Sequence, residues 1–130
     1  MNLKKDVFDK TKELLSQMPE LGRILTHWED PFAVSKNQLI MLPDKSSNNV
    51  NDSFSIRFVI STMEKNADLI PYTQMETEEK IKSLLFSNSF PFTITGFECI
   101  FLDPIPQAPI VGVMDITVSM IINFIDDCDF

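Results

Sequence analysis

The chain has 130 residues, 44% of them apolar and 23% charged, enough for one compact domain that needs neither metal nor disulfide to fold. A net charge of −8 and a pI near 4.5 argue against non-specific attraction to nucleic acid or anionic lipid, because phosphates repel that sign. No basic stripe offsets the balance, so neither a membrane nor sequence-specific nucleic acid is expected as a partner.

The opening segment "MNLKKDVFDKTKELL" carries no continuous apolar stretch, which argues against a signal peptide and for a soluble, cytoplasmic chain. Leu3, Val7, Leu14, Leu15 and Met18 recur at helical spacing and predict a first helix over residues 3–18, leaving at Pro19. "PELGRILTHWEDPF" reads as irregular, and "NQLIML" as a short strand ended by Pro43. The polar "PDKSSNNVND" predicts a mobile contact loop over residues 43–52, since Ser, Asn and Asp compete for their own backbone. Asp44, Lys45, Asn48, Asn49 and Asp52 are its candidate contact residues. In "SFSIRFVIST", Phe54, Ile56, Phe58 and Ile60 share one face of a strand.

A second helix is expected in "YTQMETEEKIKSLLFSN", opened by a capping box of Thr73 and Glu76 and supported by a Glu78–Lys82 pair. "PFTITGFECIFL" alternates Thr93, Thr95, Phe97, Cys99 and Phe101 against Phe92, Ile94, Gly96, Glu98, Ile100 and Leu102. Three prolines in "DPIPQAP" place a turn outside the sheet. The last strand spans 110–125. Ile110, Met114, Ile116, Val118, Met120, Ile122 and Phe124 form its apolar face, with Gly112 among them, and Asp115, Thr117 and Ser119 lie on the other. Sixteen residues would extend about 53 Å at ~3.3 Å each, so such a strand must bend at Gly112 or project beyond its domain. The expected fold is therefore a single α+β domain over residues 1–130. It has two layers, a mainly antiparallel sheet of about four strands with two helices packed on one face.

Signs of chemistry are sparse. His27, the sole histidine, has Glu29 and Asp30 beside it but no further ligands and no nucleophile signature, so a surface or interface role is preferred for it. Trp28 reads as a structural anchor. Asp44, Ser46, Asn48 and Asp52 mimic part of a calcium loop, yet Asn49 and Ser55 stand where Gly and Glu are required. The three glycines match no phosphate-binding spacing. Cys99 and Cys128 form no CxxC pair and read as reduced thiols. Glu78–Glu79 suits a helix start, and Asp126–Asp127 a charged terminus that blocks edge association. No enzyme activity, metal or cofactor is expected.

The order of elements resembles the tail terminator (tail completion) proteins of long-tailed bacteriophages and prophages. "KKDVFDKTKELLSQMPEL" would be the leading helix, "FSIRFVIS" a middle strand and "TEEKIKSLLF" the packing helix, with "FTITGFECIFLDP" and "IVGVMDITVSMIINF" as the terminal hairpin. The resemblance implies a structural virion protein that forms a homo-oligomeric, typically hexameric ring. Such a ring caps the tail tube and offers a surface to head-completion proteins. It also implies that Asp115, with Thr117 and Ser119, faces a lumen or subunit boundary. The other reading of Asp115 is a solvated acid on an open sheet face. Alternatives in function are another tail-tube or head–tail adaptor subunit, and a monomeric module that binds extended peptides at a sheet edge.

Overall fold

The structure, a computed structural model, describes residues 3–48, 52–87, 92–102 and 110–122. It is an α+β domain with one mixed five-stranded sheet and two α-helices. Helix α1 spans Leu3–Leu15 and buries Val7, Thr11, Leu14 and Leu15. It ends three residues earlier than its periodicity predicts, because Gln17 and Met18 donate to carbonyls only three residues back and tighten the chain.

The stretch expected to be irregular contains structure. Pro19–Leu21 forms a 3₁₀ turn, and Gly22 then takes φ 73°. A Cβ there would sit 2.0 Å from the Asn37 carbonyl oxygen, so only glycine permits this approach. The turn leads into β1, Arg23–Leu25, which lies parallel to the first three residues of β2, Gln38–Asn48. β3 (Asp52–Glu64) and β5 (Ile110–Ile122) run antiparallel to their neighbours, as does β4 (Phe92–Leu102), giving the order β1-β2-β3-β5-β4. The sheet thus agrees with the expected, mainly antiparallel arrangement of about four strands, with a fifth strand and one parallel pair in addition.

The expected loop over residues 43–52 is corrected as well. β2 continues through Pro43 to Asn48, which pairs with Asp52, and a bulge between Pro43 and Ser46 absorbs the change of register. Beyond Ile40, where β1 stops, no strand among the described residues pairs with the outer side of β2, and edges and bulges accommodate proline. Asp44 and Lys45 sit in this bulge against Ser55. The Ser55 hydroxyl donates to Asp44 Oδ2 at 3.0 Å and accepts from the Lys45 amide at 2.9 Å. Asn49 lies outside the described residues, as do Cys128, the proline turn and the chain beyond Ile122.

Helix α2 spans Ile70–Phe86, starting before the expected capping box. Thr73 does not cap it. Its hydroxyl instead donates to Glu64 Oε2 at 2.6 Å, tying the helix to the end of β3, and Pro71 occupies the first turn. Lys82 reaches Glu79 rather than Glu78, at 4.0 Å. Gly112 makes the helix fit rather than bending the strand. A Cβ at that position would lie 2.4 Å from Ile70 Cγ2 and 2.9 Å from Gln74 Nε2.

Both helices cover the same sheet face. Val7, Leu14, Ile81 and Leu85 pack on Phe54, Ile56, Phe58 and Ile60, and on the even-numbered residues Met114–Ile122. The other face is not left wholly to solvent. The segment 26–37 folds across one end of it, and Phe32 and Val34 pack with Ile40, Val59, Val111 and Val113. Asn37 pins this segment by donating to the Glu20 carbonyl at 3.1 Å and accepting from the Met63 amide at 2.8 Å.

A second bulge, between Ile94 and Gly96, changes the alternation expected for β4. One extra residue turns the later half of the strand over, so Ile94 before the bulge and Phe97 and Cys99 after it all pack on the helix side. Glu98, opposite Thr117, and Ile100, opposite Asp115, fall on the helix-free face.

Candidate assembly edge

Asp115 is not a solitary charge. It sits on the helix-free face beside Val59 of β3, two residues from the pairing of Arg57 with Thr117. Arg57 grips it with two nitrogens, Nε at 3.0 Å from both carboxylate oxygens and Nη2 at 2.7 Å from Oδ2. The hydrogen bond to Asp115 raises the Arg57 proton affinity further above its ordinary value, against an opposing effect of burial. Trp28 lies against the other side of the guanidinium, 5.4 Å from ring centroid to Cζ. The reading of Asp115 as a solvated acid on an open sheet face gives way to a bidentate ion pair roofed by an indole, half sheltered from water.

Thr117 and Ser119 continue along the same face and are half-buried. Ser119 shares a shallow hollow with Ser55, Lys45 and Thr95, which brings the two bulges to the same end of the sheet. Lys45 thus joins the neighbourhood of Ser119, with Asp44 tied in only through Ser55, whereas Asn48 and Asp52 pair at the far tip of the hairpin. His27 stands apart and exposed, with Nε2 3.0 Å from Glu29 Oε2. No group of three or more His, Cys, Asp or Glu side chains converges to hold a metal among the described residues. No helix among them is long and apolar enough to cross a membrane.

The exposed apolar surface is concentrated at one flank. Of the large hydrophobic side chains exposed among the described residues, only Trp28 lies away from α2, its leading turn or β4. Ile100, Phe101 and Leu102, at the end of β4, are 58%, 42% and 38% exposed. On α2, Tyr72, Met75, Glu79, Lys82 and Phe86 recur at spacings of three and four and form one stripe. That stripe runs above β4: Lys82 Nζ lies 5.2 Å from the Phe97 ring centroid, and the Phe86 and Phe97 rings are 6.4 Å apart. No strand among the described residues pairs with the outer side of β4. Along this side the eleven-residue strand is framed by exposed apolar side chains.

Cys99 lies on the sheltered side of this strand. Burial, followed by the charges of Glu78 and Asp115, pushes its thiol up to about 12, so it stays protonated and unreactive at neutral pH.

No protein-family model matches the chain, and no curated protein matches it in sequence.

The edge was only partly legible beforehand. Alternation in "PFTITGFECIFL" marks a strand, but the Thr95 bulge, which decides which residues it exposes, has no signal beyond Gly96. Arg57 was missed as the partner of Asp115 because nothing in the sequence order places β3 beside β5.

Proposed function

We propose that this chain is a self-assembling structural subunit whose β4 edge joins it to a neighbouring copy in a closed ring. The ring is of the kind that terminates a phage tail tube and presents a surface for head joining. The observation that carries this reading is the β4 flank: a long strand whose outer side is met by no strand among the described residues, bordered by Ile100, Phe101, Leu102, Met75 and Tyr72, all substantially exposed. Monomeric proteins guard such edges with charge, proline or a covering element, and an apolar unguarded edge calls for a partner. The element order that resembles tail terminators supports the choice of ring and of tail, and the hexamer follows from the same resemblance. The helix-free face, carrying the neutralised Arg57–Asp115 pair together with Thr117 and Ser119, would line a lumen or boundary with little net charge of its own.

Electron microscopy of the concentrated protein, alone and added to tail tubes, tests the proposal. Closed rings with a central opening, bound at one tube end, are the expected result. A protein that stays monomeric on tubes and instead captures extended peptides along β4 would replace this reading with a peptide-binding one.

A further inference from the structure

A separate site lies at the opposite edge of the sheet from β4. We propose that the hollow enclosed by the 3₁₀ turn, the start of β1 and the returning segment 29–37 binds a carboxylate ligand, held by Arg23, Lys36 and Gln38.

The walls are braced before any ligand arrives. The hollow has a volume of about 490 Å³, which is within the range of small-molecule sites. Gly22, at φ 73°, brings the turn against the Asn37 carbonyl, and the Arg23 amide donates to that carbonyl at 3.3 Å. The Asn37 side chain ties the same stretch to the Glu20 carbonyl and to the Met63 amide of β3. A pocket held in this way loses little freedom on binding.

Its lining offers more donors than acceptors. Gln38, at the floor, is only 3% exposed. Its Oε1 accepts from Arg23 Nη2, while its Nε2 has no hydrogen-bond partner among the described residues. Buried amide donors are almost always paired, so an orphan in the floor of a hollow marks a missing acceptor. Arg23 is little better served. Its contacts to Gln38 and to Glu29 Oε1 are both 3.4 Å, at the limit of a hydrogen bond. Lys36, exposed on the same lining, has no ion-pair partner among the described residues. The acids of the lining are engaged elsewhere, Glu20 with Lys80 at 3.1 Å and Glu29 Oε2 with His27 at 3.0 Å. In a chain of net charge −8, this is a local excess of cationic and amide donors.

A carboxylate satisfies these groups together. Entering between Arg23 and Gln38, it replaces their long contact. One oxygen accepts from the guanidinium and the other from Nε2, which the soft terminal torsion of the amide turns toward it. Lys36 supplies a second positive charge. Glu29, beside the guanidinium, favours a ligand of single negative charge, because it repels a phosphate dianion more strongly. Pro19, Ala33 and Val34 give the remainder of the ligand apolar surface, which suits a short aliphatic chain.

Titration of the full chain with sodium butyrate, followed by NMR of its backbone and side-chain amides, tests this. Saturable shifts are expected at the Gln38 side-chain amide and at Gly22, Arg23 and Lys36, with a dissociation constant of roughly 1 mM. Sodium chloride at equal ionic strength should not reproduce them. Arg23→Gln and Lys36→Gln are each expected to weaken binding about tenfold, the loss of one charge-assisted contact. Both side chains are exposed, and unchanged thermal melting checks that the fold survives. A capped Gly-Glu-Gly peptide identifies the source of the carboxylate. Tighter binding than butyrate assigns the site to an acidic side chain of a partner and weaker binding to a free small acid, and either result supports the site. Inorganic phosphate binding more tightly than both would overturn the ligand class. No saturable shift with butyrate or peptide, or binding unchanged by Arg23→Gln and Lys36→Gln, would overturn the site itself. The assembly reading rests on the β4 edge and is untouched by each of these results.

Discussion

At one edge of the sheet β1 contributes three residues, parallel to β2, with Arg23 held 3.4 Å from both Glu29 and Gln38. At the other, β4 runs eleven residues and ends on three exposed apolar side chains. The first edge has the usual guards: it is short, charged, and continued by a strand that carries a proline and a bulge. The second has a bulge near its start and then seven residues, Gly96–Leu102, with Glu98 as the one charge. The proposed assembly places its contact at the apolar edge, where these guards are missing among the described residues.

The contrast can be broken most directly at Ile100 and Leu102. Replacing both with Glu should weaken self-association by about 100-fold, the scale of ~3 kcal/mol for losing two interface anchors. The monomer should melt as before, since neither side chain is buried; sedimentation and calorimetry on the same sample separate the two effects. Gly112→Ala acts one layer away, where α2 forms the wall above β4. Its Cβ would collide with Ile70, whose buried branched side chain has little room to yield. Stability should fall by about 1–3 kcal/mol, as is usual for overpacking. Each kcal/mol should lower the melting temperature by about 4 °C.

Asp115→Ala tests the middle of the sheet. It leaves Arg57 half-buried without its carboxylate and should cost about 2 kcal/mol, typical for hydrogen bonds to a charged group. Trp28, the only tryptophan, lies on Arg57, so its fluorescence should shift in this variant and stay unchanged in Gly112→Ala.

The smallest effect belongs to the sheltered side of β4. The folded Cys99 thiol titrates at about 12 against an ordinary 9.0, so the folded state favours the protonated form. That contribution is complete below pH 9 and is lost as pH rises from 9 through about 12. Urea midpoints measured from pH 8 to 10.5 should decline, and Cys99→Ala should flatten the decline.

The sequence made the core far more legible than the edges. Phe54, Ile56, Phe58 and Ile60, with Met114, Ile116, Val118, Met120 and Ile122 of the last strand, alternate without interruption and fall in the main core, whereas Ile110, expected on the same face, is only half-buried at the strand's start. Burial repeats a period, and a period can be read. Three features broke the reading, and each depends on contacts distant in sequence. β1 is three residues long and exists because Gly22 turns the chain beneath Asn37. The polar stretch 43–48 is a strand because β3 lies beside it, and tertiary pairing overrides the turn preference of Ser, Asn and Asp. The Thr95 bulge inverts half of β4, so Ile94 and Phe97, expected on opposite faces, share one. Asp115 is the one charge in an oily strand, but its meaning depends on Arg57, 58 positions away. The residues that frame the assembly edge were likewise visible only as scattered apolar positions until α2 and β4 were placed side by side.

The central claim, that the β4 edge drives self-assembly, is tested most directly by the solution mass. Light scattering after size exclusion, over a wide range of concentration and salt, should show mass rising with concentration from 14.9 kDa toward about six times that value. A constant 14.9 kDa at every concentration, on the isolated protein and in the presence of tail tubes, would contradict the account.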